Sequence, residues 1–205
     1  DAEDANTLNF AYPSAAPTRR GREGRSWAML PYLRPGVKLE FGAGSDPYPV
    51  GRYPVTAYAA EVFPQVFTEP QFTVTVLEAE RTFWEKATLA HAEYHRPAGS
   101  PTPSRISRHY YDLHQLAQSE RGRRALADRN LLRRVVEHKQ VYFASGWAHY
   151  ETTTSGGLHL APHEARRHEV AQDYERMRDM FFGPFPRLDE ILAMLRSLEA
   201  EVNSQ

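Results

Sequence analysis

The chain has 205 residues, of which 41% are hydrophobic and 12% aromatic, enough to bury the core of one large domain or two small ones. Its 25 basic and 26 acidic residues give a formal net charge of −1, which excludes an overall positive field that would attract nucleic acid or a membrane surface. The chain has no cysteine, which excludes disulfides and thiolate chemistry. It has no run of 18 apolar residues either, so we expect no membrane span and a cytoplasmic location.

Residues 1–79 are rich in proline, glycine and aromatic residues, and their alternating runs predict short strands. The predicted strands cover residues 8–12, 37–41 and 72–77. The intervening segments GAGSDPYP and RYPVT have the composition of turns. We therefore expect residues 1–79 to form a β-rich unit.

After Leu77 the hydrophobic period changes from two to about 3.6, which predicts that residues 80–205 form a helical domain. The predicted helices cover residues 78–96, 105–118, 120–141, 162–182 and 188–202. The loop HRPAGSPTP separates the first two, and we expect Ser104 to cap the second. The expected fold class is α+β, with a small mixed β-sheet followed by a helical C-terminal lobe.

The segment VKLEF carries the first candidate site residues. Alternation along a strand sends Lys38 and Glu40 to the same face. A carboxylate at a sheet surface is an oxygen ligand suited to a divalent cation. The simpler interpretation is the polar face of an ordinary amphipathic strand.

Two further candidates lie on the first two predicted helices. Lys86 follows Phe83 by about one turn, at the margin of the apolar stripe, where its ammonium is suited to a phosphate or a carboxylate. The alternative is a lysine whose stem packs on apolar neighbours while the ammonium reaches water. Asp112 stands four residues after Arg108, a spacing that also fits a simple helical ion pair.

His91 and His95 have the i,i+4 spacing of zinc-binding helices, but AEY stands between them and Glu93 is misplaced for an HExxH motif. We favour a polar flank of the helix over a metal site here.

Several segments together resemble the AbiEii/AbiGii family of bacterial nucleotidyltransferase toxins, which belong to type IV toxin–antitoxin systems. The resemblance covers nearly all 205 residues, and its most specific part is ERTFWEK followed across a short loop by RHYYDL. The other segments that carry it are YPSAAP, YLRPGVKLEFGAGSDPYPV, LHLAP and DYERMRDMFFGPFPRLDEILAMLRSLEAEVN. The resemblance implies transfer of a nucleoside monophosphate from an NTP to an acceptor hydroxyl, with release of pyrophosphate. It implies Mg2+ (or Mn2+) as cofactor, an RNA acceptor (tRNA first) or a protein acceptor, and a cognate antitoxin as partner.

The resemblance also implies roles for individual residues. Glu40 matches the strand carboxylate that completes the metal cluster, and Lys38 is the basic residue beside it. Lys86 matches the helix lysine that holds the triphosphate. Asp112 matches the aspartate that orients this lysine or the acceptor, and Arg108 is expected to fix Asp112 and to contribute to nucleotide binding.

The chain departs from the family pattern in one respect. A Gly-Ser turn followed by Asp-x-Asp is expected upstream of the VKLEF strand, but Gly44-Ser45 lies after Glu40 and no Asp-x-Asp occurs. A magnesium site with two fewer carboxylates binds the metal less well. We therefore expect the full-length protein to be an enzyme and these 205 residues alone not to be a competent one. The opening DAEDANTLNF agrees with loss of an N-terminal segment. The alternative is a non-catalytic helical interaction module, or a degenerate family member that only binds a partner.

Overall fold

The computed structural model describes residues 7–11, 36–42, 46–181 and 183–204, and within them it confirms the α+β class. The strands are β1 (Thr7–Ala11), β2 (Gly36–Glu40), β3 (Val50–Thr56) and β4 (Gln71–Leu77). The helices are α1 (Tyr58–Val62), α2 (Ala79–Tyr94), α3 (Ser107–Ala117), α4 (Glu120–Ala127), α5 (Arg129–Tyr142), α6 (Arg167–Arg176) and α7 (Leu188–Asn203). None of the helices in these ranges combines the length and apolarity needed to cross a bilayer.

The described strands form two separate antiparallel pairs, whereas the sequence predicted a single mixed sheet. β1 pairs with β2, and β3 pairs with β4. The segment RYPVT, predicted to be a turn, belongs to β3, where Pro54 lies opposite Thr73. Proline has no backbone N–H, and a strand with a free edge tolerates it because one side of the strand needs no partner.

The change from strands to helices falls between β4 and α2, close to residue 79, where the sequence placed a boundary. A division into two domains stays a prediction. Arg121 of α4 joins the two parts, because its guanidinium donates to Glu78 Oε2 at 3.1 Å and to the Tyr53 hydroxyl at 3.0 Å. The β3–β4 pair is thereby held against the helices.

Helix α2 lies at the centre of the core. Phe83 and Trp84 are fully buried and meet edge to face, with ring centroids 4.9 Å apart. Trp84 Nε1 donates to the carbonyl oxygen of Ala125 at 3.0 Å, which satisfies the indole N–H. The surrounding helices add fully buried apolar side chains, among them Leu113, Val135, Ile191, Leu192 and Leu195. This packing fixes the rotation of α2, so that Lys86 reaches the margin of the core.

The helix predicted over residues 120–141 is two helices, α4 and α5. Asp128 stands between them and its carboxylate accepts from the Leu131 backbone nitrogen at 2.9 Å, which caps the start of α5. Gly122 lets α4 approach the end of α3, because a Cβ there would lie 2.2 Å from the Leu116 carbonyl oxygen. The helix predicted over residues 162–182 is also shorter: α6 ends at Arg176, and short 3-10 turns flank it.

Helix α3 begins at Ser107, and Ser104 does not cap it. The cap comes from α6, whose Asp173 carboxylate accepts from the backbone nitrogens of Arg105 and Ser107, at 2.8 and 2.9 Å. Ser107 Oγ donates to the same carboxylate at 2.6 Å. Arg105 has a φ of 65°, so the backbone turns sharply just before the helix. A residue 66 positions away therefore fixes the start of α3.

Candidate functional site

Lys86 on α2 and Asp112 on α3 meet at the margin of the core. Lys86 Nζ lies 2.7 Å from Asp112 Oδ2, and their side chains are 20% and 40% exposed. A half-exposed ion pair contributes little to stability, typically below about 1 kcal/mol. The Lys86 ammonium and the Asp112 carboxylate therefore stay accessible to solvent, and their pairing adds little to the stability of the fold.

His109 lies one turn before Asp112 and faces the same lysine. Its Nδ1 atom is 3.5 Å from Lys86 Nζ. Burial, together with the positive charges of Lys86 and Arg108, lowers the pKa of His109 to about 4. The imidazole is therefore neutral at neutral pH and adds no positive charge beside the ammonium.

Arg108 does not pair with Asp112, although the i,i+4 spacing suggested that contact. Its Nε atom lies 3.5 Å from His109 Nε2, and the side chain is exposed. Among the residues that the structure describes, no carboxylate lies within 4.0 Å of this guanidinium, because Asp112 turns toward Lys86. Arg108 therefore remains available to an anion from solvent.

Lys38 and Glu40 form a separate pair on β2. The Lys38 ammonium lies 2.5 Å from Glu40 Oε1, which agrees with the predicted common face, and the side chains are 51% and 67% exposed. Within the described part of the chain, Glu40 has no hydrogen bond or ion pair with Lys86 or Asp112. The structure thus joins two of the three predicted catalytic residues. The role of Glu40 stays a prediction.

The described residues contain no group of three or more histidines, aspartates or glutamates arranged to hold a metal ion. For His91 the reason is visible, because both ring nitrogens have partners within the fold. Its Nδ1 accepts from the His159 backbone nitrogen at 3.1 Å, and its Nε2 lies 3.0 Å from the His149 carbonyl oxygen. His91 is fully buried and belongs to the packing of α2, whereas the sequence suggested a polar flank of the helix.

The structure adds a buried charge network that sequence reasoning missed. The fully buried Arg81 donates from Nη1 to Asp46 Oδ2 at 2.7 Å and from Nε to Glu85 Oε1 at 2.9 Å. Arg134 of α5 binds both oxygens of Asp46, at 2.6 and 2.8 Å. Hydrogen bonds from Arg134, and then from Arg81, hold the pKa of the Asp46 carboxyl well below its usual range. The available signal was Arg81 itself, an arginine three residues before a core tryptophan.

This network anchors the segment before β3 to the helix that carries Lys86. Arg81 Nη1 also donates to the Tyr48 carbonyl oxygen at 2.7 Å, so one guanidinium holds two points of that segment. The Arg134 guanidinium lies over the Tyr48 ring, 4.4 Å from its centroid. The strand part and the helical part therefore meet within two turns of the Lys86–Asp112 pair.

A cleft of about 630 Å³ opens beside Asp112. Asp112 and Arg108 form part of its α3 wall. The other lining residues include Met177, Met180, Phe181, Gly183, Pro184 and Pro186. The volume falls within the range of small-molecule sites, about 300–1,000 Å³. The ion pair and the cleft share one residue, Asp112.

Comparison with known proteins gives one match. A family described as nucleotidyl transferase AbiEii toxin, Type IV TA system, matches residues 1–194 of the 205. No curated protein and no solved structure matches the chain. Because the match spans nearly the whole sequence, the chain belongs to the AbiEii family of nucleotidyltransferase toxins.

Proposed function

We propose that the protein transfers a nucleoside monophosphate from an NTP to an acceptor hydroxyl at the Lys86–Asp112 pair. In this reaction the acceptor oxygen bonds to the α-phosphorus, the bond from that phosphorus to the α,β-bridging oxygen breaks, and pyrophosphate leaves. The acceptor loses its proton to solvent or to a nearby carboxylate. The observation that carries the proposal is the accessible Lys86–Asp112 contact of 2.7 Å, in a chain of this family.

Lys86 is the residue we propose to bind the triphosphate. Phosphoryl transfer is catalysed mainly by positioning and by neutralising charge on phosphate oxygens, and a fixed ammonium supplies both. Asp112 keeps the ammonium in place at 2.7 Å, while the neutral His109 beside it leaves the local charge unchanged. We propose Arg108 and Lys38 as further cations for nucleotide binding. Arg108 lacks a carboxylate partner in the described ranges, whereas Lys38 pairs with Glu40.

Magnesium (Mg2+), or manganese (Mn2+), is the cofactor we propose, brought to the protein with the NTP. The described residues themselves do not fit a metal site. Glu40 contacts only the Lys38 ammonium among them, and no second carboxylate joins it. We therefore assign no step to the metal. Because the sequence also lacks Asp-x-Asp, we propose that these 205 residues alone bind NTP but are not competent to transfer the nucleotide.

For the acceptor we propose RNA, with tRNA first, and a protein as the alternative. The net charge of −1 means that an RNA-binding face must be local, and the exposed Arg108 beside a cleft is one such position. The family indicates a cognate antitoxin as partner. We propose the cytoplasm as the compartment, since NTPs and RNA acceptors occur there.

A second candidate is a non-catalytic family member that only binds a partner. The observation that favours it is the absence of a metal-binding group among the described residues, together with the absence of Asp-x-Asp from the sequence. This protein would bind its antitoxin or another partner without an NTP requirement. The two candidates differ in whether NTP binding depends on Lys86.

The test incubates the intact protein, as its gene encodes it, with each α-labelled NTP, Mg2+ or Mn2+, and total RNA or total protein. Labelled acceptor is then measured for wild type, Lys86→Ala and Asp112→Ala. Removing a group that stabilises the transition state typically lowers the rate 10²–10³-fold, so we expect label from wild type and a loss of about this size in both variants. Equal labelling by all three proteins would contradict the site assignment.

A further inference from the structure

The β3–β4 pair has one apolar face and one polar face. Its register places Val55 opposite Phe72, and alternation along each strand sends every second residue to the same side. The residues of the apolar face are Tyr53, Val55, Phe72, Val74 and Val76. An antiparallel pair with this pattern normally packs its apolar face on a core.

This apolar face is open to solvent in the part of the chain that the structure describes. Phe72 is 55% exposed, and Val55 and Val76 are each 39% exposed. None of the five residues joins the hydrophobic cluster around α2. Large apolar side chains exposed side by side are typical of an interaction surface.

Strand β4 also has an open edge. Within the described ranges β3 is its one neighbouring strand, so the backbone groups that point away from β3 have no strand partner. The seven residues of β4, QFTVTVL, include no proline and no charged side chain, which are the features that close an edge to further pairing. Strand β3, in contrast, contains Pro54, which lacks a backbone N–H. The edge of β4 is therefore the side at which another strand can add.

The charge around the pair is negative. From residue 53 to residue 80 the sequence has four glutamates and no lysine, arginine or histidine. Glu78 and Glu80 are bound by Arg121. Glu61 and Glu69 are exposed, and neither has an ion pair with a described side chain. These two carboxylates remain available to a partner.

The negative charge selects among the possible occupants of the edge. A second copy of β4 would bring two acidic surfaces together, and like charges weaken such a contact. Nucleic acid and an anionic membrane surface carry the same sign of charge as the pair. A protein segment with basic side chains is complementary to it.

We infer that β4 binds an extended segment of a partner protein in which apolar residues alternate with lysine or arginine. The segment adds as a third strand beside β4, so its backbone supplies hydrogen bonds and its apolar side chains cover Phe72 and Val76. Its basic residues are attracted by Glu61 and Glu69. The inference goes beyond the proposed function, because binding at β4 does not involve the Lys86–Asp112 pair.

The test measures the binding of fluorescent synthetic peptides to the intact protein by anisotropy, without NTP. The probe is a peptide of about nine residues that alternates valine and lysine, long enough to span β4. One comparison peptide carries glutamate in place of each lysine, and another has the valines and lysines in separate blocks. We expect the probe to bind, and each comparison peptide to bind at least about tenfold more weakly. Equal binding of the lysine and glutamate peptides would overturn the inference.

N-methylated peptides test the backbone hydrogen bonds. One version of the probe carries N-methyl groups on its valines, and the other carries them on its lysines. Neighbouring residues of a strand direct their N–H groups to opposite edges, and the segment pairs with β4 through one edge. At least one version should therefore lose binding, whereas full binding by both would contradict strand addition.

Variants of the protein locate the binding surface. Phe72→Lys places a charge on the apolar face and should weaken binding of the probe about tenfold. Val141→Lys is the matched control, because Val141 is 71% exposed on α5, and it should bind like wild type. The double variant Glu61→Gln/Glu69→Gln should weaken binding about threefold and reduce its dependence on salt. Circular dichroism verifies that each variant is folded.

Two further outcomes would overturn the inference. The first is binding of the probe with the same affinity by wild type and a folded Phe72→Lys. The second, measured by sedimentation without peptide, is a dimer that Phe72→Lys dissociates, since a second copy would then be the occupant of the β4 edge.

Discussion

The Asp173 carboxylate of α6 accepts a hydrogen bond of 2.9 Å from the backbone nitrogen of Ser107, the first residue of α3. The first N–H groups of a helix have no partner within the helix itself, so this carboxylate replaces the side-chain cap that α3 lacks. Asp112 lies five residues further along the same helix. The position of the site therefore depends on a contact from α6.

Asp173→Ala should lower the free energy of unfolding by about 2–4 kcal/mol, because three hydrogen bonds to a buried carboxylate are lost together. Urea unfolding followed by circular dichroism measures the loss. Glu175→Ala on the same helix is the control, since Glu175 is 60% exposed and pairs with a surface arginine. An Asp173→Ala protein that unfolds at the wild-type urea concentration would show that α3 does not need this cap.

Asp46→Ala should destabilise the fold by about 2 kcal/mol, because it leaves the fully buried Arg81 guanidinium without its main carboxylate. The double variant Asp46→Ala/Arg81→Met should recover part of that loss, since it removes the uncompensated charge as well. Thermal unfolding of the two variants measures the difference. Asp189→Ala, which breaks an exposed pair with Arg167, is the control and should unfold like wild type. Strictly additive losses in the double variant would exclude coupling within this network.

The free energy of unfolding should fall as the pH drops from about 6.5 to about 4. Burial lowers the pKa of His91 from 6.5 to about 4, so the unfolded chain binds more protons than the folded one in this window. The neutral His91 therefore adds about 2–3 kcal/mol to the free energy of unfolding above pH 6.5, and this contribution is lost by pH 4. His95 and His109 shift in the same direction, again mainly through burial.

Urea midpoints at pH 7.5, 6, 5 and 4.5 measure this dependence. His91→Gln cannot titrate and should give a shallower slope than wild type. His168→Gln, at an exposed position of α6, should keep the wild-type slope. If His91→Gln retained the full wild-type slope, the buried His91 imidazole would not be the source of the pH dependence of stability.

The sequence predicted the type of most elements but not their ends. Periodicity indicated the helical regions after Leu77, because it records which face is buried, but it did not indicate α1 within the part expected to be β-rich. It continued across Asp128, however, where the capping carboxylate ends one helix and starts the next. It also suggested Ser104 as a cap, whereas the cap is Asp173, a long-range contact that no local pattern carries. Pro54 likewise marked a turn by composition but lies in an edge strand.

The candidate site was predictable in part. The family resemblance selected Lys86 and Asp112, and the structure places their charged atoms in contact although 26 residues separate them. Spacing favoured Arg108 as the partner of Asp112, because helical neighbours are the contacts that a sequence reveals. The lysine on the adjacent helix takes that place instead. The cleft depends on the packing of the segment around Phe181, which the sequence does not specify.

The central claim is that the Lys86–Asp112 pair binds an NTP, and equilibrium binding of a labelled NTP to single variants tests it most directly. Lys86→Ala removes the cation and should raise the Kd about tenfold or more, a loss of about 1.4 kcal/mol or more. Asp112→Asn removes a negative charge near the phosphates and should leave the Kd unchanged or lower it. Arg123→Ala, on the exposed face of α4, should bind like wild type. Opposite effects of the two site variants are the predicted result, and the same Kd for wild type and Lys86→Ala would contradict the account.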